Sequence, residues 1–307
     1  MMYREPSREI PVTENTGVVV LGSGPAGIGA ALAAAKAGVP YQTGRPSDGH
    51  MQPMTLMCKV GGVEMERVHF IGAFEDTYAC HGSDIQTLAR QHLPHPAGHL
   101  LIYKNALPGV VTCNMTNAIH VDGTSAEDLT KATVTCRSQL EPIVQFLRTY
   151  ADGFENCYLI QAASMIGVRE TRHFEGAYCL NEQDILDSRV FDDWVVTGCR
   201  FNFDVHSLSG AGLDETGLQK YFPETIGYTI PYRSLLPKRV AGRNICGTHI
   251  AHSSFRVMPI CLGTGEAAGT AAALSLQTGV PVKELDVSSI QQKINPAFFR
   301  ERAAASH

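Results

Sequence analysis

Val18-Val-Val-Leu-Gly-Ser-Gly-Pro-Ala-Gly-Ile-Gly-Ala-Ala-Leu-Ala-Ala-Ala-Lys-Ala-Gly38 decides how this chain is read. It consists of a short apolar run, a glycine turn and an alanine-rich stretch of helical composition. Gly22, Gly24 and Gly27 stand in G-x-G-x-x-G spacing. In a strand–turn–helix unit the first glycine permits the tight turn, the second lets a pyrophosphate approach the backbone, and the third lets helix and strand pack closely. Pro25 suits a first helical turn, where a missing N–H costs nothing. The helix start then offers unpaired N–H groups and the positive end of the dipole to an anion. The stretch predicts a dinucleotide-binding βα unit.

The partner of that unit is not evident. A dinucleotide fold continues with a second strand ending in Asp or Glu about 20 residues on, which binds the ribose hydroxyls. Here the chain reads Val39-Pro-Tyr-Gln-Thr-Gly-Arg-Pro-Ser-Asp-Gly-His50. Pro40 and Pro46 oppose a strand, and Asp48, at about the right distance, sits in a Pro/Gly/Ser turn. The phosphate half of a site is legible and the ribose half is not.

The bulk properties narrow the classes. At 307 residues the chain can build one large or two modest domains with a real core. Hydrophobic content of 44% and charged content of 18% are ordinary for a globular protein. A net charge of −5 with scattered Lys and Arg gives no electrostatic case for nucleic acid or an anionic membrane. The charged N-terminus lacks the apolar segment of a signal peptide, and no apolar run reaches the ~18 residues of a membrane span. Nine cysteines without C-x-x-C pairs read as reduced thiols. A cytoplasmic protein with a small-molecule substrate, no nucleic acid and no membrane is the expectation.

Along the chain, residues 39–53 read as a loop and Met54–Val60 as a strand. Ser83–Arg90 reads as a short helix capped by Ser83 or Asp84, and Leu100–Tyr103 and Gly109–Asn114 as two joined strands. A capping-box start at Thr124 or Ser125 opens a helix to about Ala151, which Pro142 kinks or splits. Cys157–Gln161 and Asp193–Thr197 read as strands, Asn181–Arg189 as a short helix, and Phe201–His206 alternates with period 2. Pro259–Thr278, rich in Ala and Gly, is the last expected helix. No internal repeat or low-complexity run is present.

In the C-terminal third, Ile230-Pro-Tyr-Arg-Ser-Leu-Leu-Pro-Lys238, Ala241-Gly-Arg-Asn-Ile245, Thr248-His249 and the run from Arg256 to Ala273 resemble the FAD-dependent oxidoreductases of the glutathione-reductase-like superfamily. Arg4–Pro11, Met51–Thr55, Ile166-Gly-Val-Arg-Glu-Thr-Arg172 and Phe191–Asp193 resemble them too. The resemblance implies an α/β fold with a Rossmann-like FAD-binding domain built from both chain ends around a mixed β/α middle. The implied division is 1–38 and 229–307 for the FAD-binding parts and 39–228 for a substrate region. It also implies hydride transfer from a small organic substrate to FAD. By the same resemblance Gly22, Gly24, Pro25, Ala26 and Gly27 hold the cofactor, and Met258-Pro259 opens a helix facing the flavin. Gly263 lies on that helix, where a glycine also permits close packing.

The chain departs from the family between Ala37-Gly38 and Val39-Pro-Tyr41, where the acid-ended strand and a long following region would stand. It reads as an internal deletion joined at a shared Ala-Gly-Val. A second reading therefore stands beside the enzyme: a shortened relative without catalysis that binds a nucleotide or a partner.

His249 and Arg256 are the catalytic candidates, placed beside the flavin by the resemblance, where they would bind or polarise a substrate. The residues alone equally allow a hydrogen-bonded loop histidine and a surface arginine. Arg169, Glu170 and Arg172 read as a structural ion-pair network, or as a clamp for a carboxylate or the cofactor. His92-x-x-His95-x-x-x-His99 has metal-ligand spacing only on a helix, which Pro94 and Pro96 oppose, and no metal site is expected.

Overall fold

The computed structural model describes residues 41–217, 227–237 and 245–305. The glycine turn, with Gly22, Gly24, Pro25, Ala26 and Gly27, lies outside the described residues, as does the apparent join at Gly38–Val39.

In chain order the described elements begin with β1 (Tyr41–Thr43), β2 (Cys58–Gly61), α1 (Ile85–His92), β3 (Ile102–Lys104) and β4 (Val111–Cys113). Next come α2 (Ala126–Ser138), α3 (Leu140–Tyr150), β5 (Tyr158–Ala162), β6 (Arg172–Phe174) and α4 (Glu182–Leu186). The last are β7 (Trp194–Cys199), β8 (Tyr228–Pro231), α5 (His249–Phe255), α6 (Met258–Thr278), α7 (Val287–Ile294) and α8 (Pro296–Ala305).

A four-stranded antiparallel sheet in the order β3-β4-β2-β5 forms one centre. It packs with α1, α2 and α3 around Met54, Leu56, Val60, Ile85, Ile102, Met115, Ile143 and Phe154. Ser125 caps α2 by accepting from Asp128 N–H. The helix stops at Ser138, the residue whose carbonyl a proline at 142 would strike, and Pro142 is accommodated in the first turn of α3. The helix read to about Ala151 is thus split in two, the break lying just before Pro142. Asp84 caps α1 through Thr87 N–H, as expected for that helix.

A second centre is built on the antiparallel pair β8-β7. Successive residues of β7 serve different clusters, because side chains alternate across a strand. Val196 joins Leu180, Phe191, Tyr228, Ile230, Phe255 and Ile260. Val195 joins Tyr232, Ala267, Ala271, Leu274 and Ile290. The helix α6 spans both and ends at Gly279, which takes the left-handed conformation at φ 72°. It leaves α5 at an angle of 93°. Its Gly263 lets it close on β7: a Cβ there would lie 2.8 Å from Val196 Cγ1.

Three expectations are corrected. The 39–53 loop contains β1, paired with β6 through Tyr41↔Phe174, Gln42↔His173 and Thr43↔Arg172. The alternating Phe201–His206 segment is irregular, with isolated bridges at Phe203 and at His206, the latter to Leu213, because the Phe201 and Asp204 carbonyls accept from the Ser254 and Arg256 side chains. Two helices, α7 and α8, follow the helix expected to be last; Ile290 of α7 is fully buried. The described architecture is mixed α/β with small antiparallel sheets. Among the described residues no single helix is long and apolar enough to cross a membrane.

Gly247 precedes the cap of α5 and lies against Phe255, whose ring carbons a Cβ would meet at 2.6 Å, with Leu180 O at 3.1 Å. Phe255 is buried, 2% exposed. Gly247→Ala should destabilise the fold by about 1–3 kcal/mol through overpacking, read as a lower urea midpoint. An unchanged midpoint would show that the ring can move aside.

Candidate functional site

The site is organised by a buried acid. Glu170 is 2% exposed and lies between the extended segment at Gln52–Pro53, β6 and α5. Its Oε2 accepts the Gln52 backbone N–H at 2.9 Å. Its Oε1 meets His173 Nε2 at 2.6 Å and His249 Nδ1 at 2.7 Å. Burial pushes this carboxyl's pKa up, but the hydrogen bonds and positive charge of the two histidines outweigh it and bring it down to about 2. Glu170 is therefore a carboxylate at neutral pH.

The short helix α5 aims His249 at that carboxylate. Thr248 caps it, accepting from Ala251 N–H at 3.1 Å and donating its hydroxyl to Glu182 Oε2 at 2.8 Å. An ionised Glu170 demands a donor, so His249 carries its proton on Nδ1. In the neutral ring Nε2 then carries the lone pair, and it has no hydrogen-bond partner among the described residues. His249 lines an open cleft of about 950 Å³ together with Arg45, His120, Glu182, Ser207, Asp214 and Thr248. His252, one turn on, stands edge-on to His173 with ring centres 5.0 Å apart. Burial first, then the neighbouring His173, push His252 down to about 3.

Arg256 is held elsewhere. Its Nη2 donates to Asp204 Oδ2 at 2.7 Å and to the Asp204 carbonyl at 3.0 Å. Asp204 also meets His206 Nε2 at 3.2 Å. Burial raises the Asp204 pKa, yet the His206 bond and the charges of His206, Arg256 and Arg169 hold it below the usual carboxylate range. Arg169 is pushed down to about 10 by burial and by the charge of Arg256. Phe74 stands between His99 and His206, with ring centres 5.1 and 5.4 Å away.

The structure thus gives the two catalytic candidates different partners: His249 lies on the large cleft and Arg256 on Asp204. Pro259 and Gly263 line a smaller cleft of about 340 Å³ beside β7, with Leu262, Ile294 and Asn295. Met258 is exposed. The Arg169-Glu170-Thr-Arg172 motif is not an internal ion-pair network. Arg169 donates to the Pro53 carbonyl at 2.7 Å, Arg172 stacks over Tyr41 at 5.2 Å, and Glu170 takes histidines. His92 stacks on Tyr150, whereas His99 is buried against the Asn114 carbonyl, so the His92–His99 spacing does not gather ligands. The role of Glu170 as partner of His249 was not anticipated. Its only signal was two pairs of polar residues at i, i+3 spacing, Glu170/His173 and His249/His252, far apart in sequence.

His99 and His206, together with His252, set the acid limit. His99 and His206 move from an ordinary 6.5 to about 3 and about 4, in each case first through burial, then through neighbouring positive charge. Above pH 6.5 folded and unfolded chains are both neutral at these rings. Below it the unfolded chain takes up protons that the fold refuses, so stability falls from pH 6.5 down to about 3. Urea midpoints should decline across that window, and His206→Gln should flatten the decline. An unaltered slope in that variant would assign the acid sensitivity to other groups.

A family model described as FAD dependent oxidoreductase matches residues 34–294. No curated protein and no solved structure matches the chain. The matched stretch holds Glu170, His173, Asp204, His249, Arg256 and all of α6. The chain belongs to the FAD dependent oxidoreductase family, which implies FAD binding and a flavin oxidoreductase role.

Proposed function

We propose that this protein oxidises a small organic substrate held in the cleft beside His249, passing a hydride to FAD. The observation that carries the reading is the Glu170–His249 pair: a buried carboxylate fixing the tautomer of an imidazole on the wall of a cleft large enough for a small molecule. Bound FAD supplies the hydride acceptor.

The N-terminus of α6 supports a cofactor-facing role for Met258, Pro259 and Gly263. Val257 gives it no side-chain cap, Pro259 occupies its first turn and no acid stands there. The turn is therefore open to an electron-rich ring edge, which the helix dipole favours. Met258 and Leu262, 82% and 75% exposed, offer apolar surface to a flat ring. In this reading the glycine turn at Gly22, Gly24, Pro25, Ala26 and Gly27 takes the pyrophosphate.

The protein's own groups do the positioning. His249 Nε2 accepts a hydrogen bond from a substrate O–H or N–H and takes that proton as the hydride leaves the adjoining carbon, so that the substrate C–H and O–H or N–H bonds are replaced by a C=O or C=N bond. Glu170 keeps the ring from rotating and keeps Nδ1 protonated. Asp204 holds the Arg256 guanidinium in place, from where its positive charge favours the reduced, anionic state of a nearby ring. Ser207, Ser209 and Thr216 on the cleft wall supply polar contacts for orientation.

The test begins with FAD added to the purified chain. A flavin absorbance shift that saturates at one FAD per chain is expected, and Gly24→Asp should abolish it. Absence of any shift in the wild type would overturn the reading. Against a panel of small alcohols and amines, His249→Ala should retain FAD and lose about 10²–10⁴-fold in kcat/KM. Equal rates in wild type and variant would remove His249 from the site.

A further inference from the structure

We infer that Glu170, His173 and His252 form a binding site for a divalent transition-metal ion. One carboxylate oxygen of Glu170 and one ring nitrogen from each histidine all lie within 4.8 Å of one another. Zinc bound at about 2.0–2.2 Å to each ligand needs them roughly 3.4 Å apart. The Glu170–His173 contact of 2.6 Å has to open by about 0.8 Å, and no other ligand pair has to close by more than about 1.4 Å.

Two further features favour an ion. Nδ1 of His252 is buried and has no hydrogen-bond partner. An imidazole nitrogen held that way forfeits the water it would bind outside, and a metal removes that loss. The Glu170 carboxylate is steadied by outside groups, the Gln52 N–H and His249 Nδ1, which is how ligating carboxylates are commonly held.

The ligands come from β6 and the segment just before it and from α5, so the ion would clamp two segments that are nearly 80 residues apart. Two imidazoles with one carboxylate suit Zn²⁺, Fe²⁺, Co²⁺ or Mn²⁺, and do not suit Mg²⁺ or Ca²⁺, which prefer oxygen alone. His249 is one hydrogen bond away through Glu170. The inference does not depend on flavin chemistry, and it survives if the proposed oxidation fails.

The experiment uses the full chain, stripped with a chelator and titrated with Zn²⁺ against a competing indicator. One ion per chain is expected, with no response to Mg²⁺. His173→Ala and His252→Ala should each weaken binding by about 100-fold or more, whereas His92→Ala should leave it unchanged. Circular dichroism checks that each variant is folded. A wild type that takes up no zinc, or a folded His252→Ala variant that binds it with undiminished affinity, overturns the site. A variant-free measurement guards against misfolding, since X-ray absorption of the zinc-loaded wild type counts the ligands. Nitrogen and oxygen neighbours at about 2.0–2.2 Å with two imidazoles support the site. Sulfur neighbours at about 2.3 Å would place the ion on cysteines and refute it.

Discussion

The carboxylate of Glu170 is the constraint around which the middle of this molecule is arranged. A lone charge taken out of water is held only when its lone pairs are answered. Here a backbone N–H and two imidazoles answer them, and each comes from a different segment. The extended chain at Gln52, the β6 turn and α5 are therefore fixed relative to one another by one side chain. Removing the acid would leave two histidines facing each other without a shared acceptor, a larger loss than that of any single hydrogen bond.

From that anchor the chemistry of the cleft follows. The acid sets the tautomer of His249, and α5, too short to be stable alone, keeps its orientation through Thr248 and Glu182. A second acid, Asp204, does for Arg256 what Glu170 does for His249. Glu170 and Asp204 are thus each surrounded by cationic or potentially cationic groups. The low proton affinity of His99, His206 and His252 comes first from burial and then from the positive charge gathered around those acids.

Local signals were legible where the residues decide the matter alone. Asp84 and Ser125 mark helix starts because a short polar side chain answers free N–H groups at any such position. Pro142 announces a break for equally local steric reasons. The β1 strand was hidden by Pro40 and Pro46, since Tyr41–Thr43 gains its pairing from Arg172–Phe174, far along the chain. Phe201–His206 carried the period of a strand, but Asp204 and His206 are committed to Arg256 and to each other, which tertiary contacts alone reveal. The candidate site divides the same way. His249 was reachable through its resemblance to a family, whereas the partnership of Glu170 with it depends on two segments meeting in space. The Arg-Glu-Thr-Arg motif misled because opposite charges adjacent in sequence point to different sides of an extended chain.

The strand β7 carries one more consequence. Its neighbouring valines belong to separate apolar clusters, so the strand is a party wall between two rooms. Inserting or deleting a single residue between Trp194 and Cys199 would exchange the two faces and present each room with the other's side chains. Substitutions that enlarge Val196 press on Gly263, while those at Val195 press on Ala267 and Ala271, so both disturb the same helix from different sides. Sequence drift on one side of β7 is therefore not independent of drift on the other, and α6 is where the two histories must be reconciled.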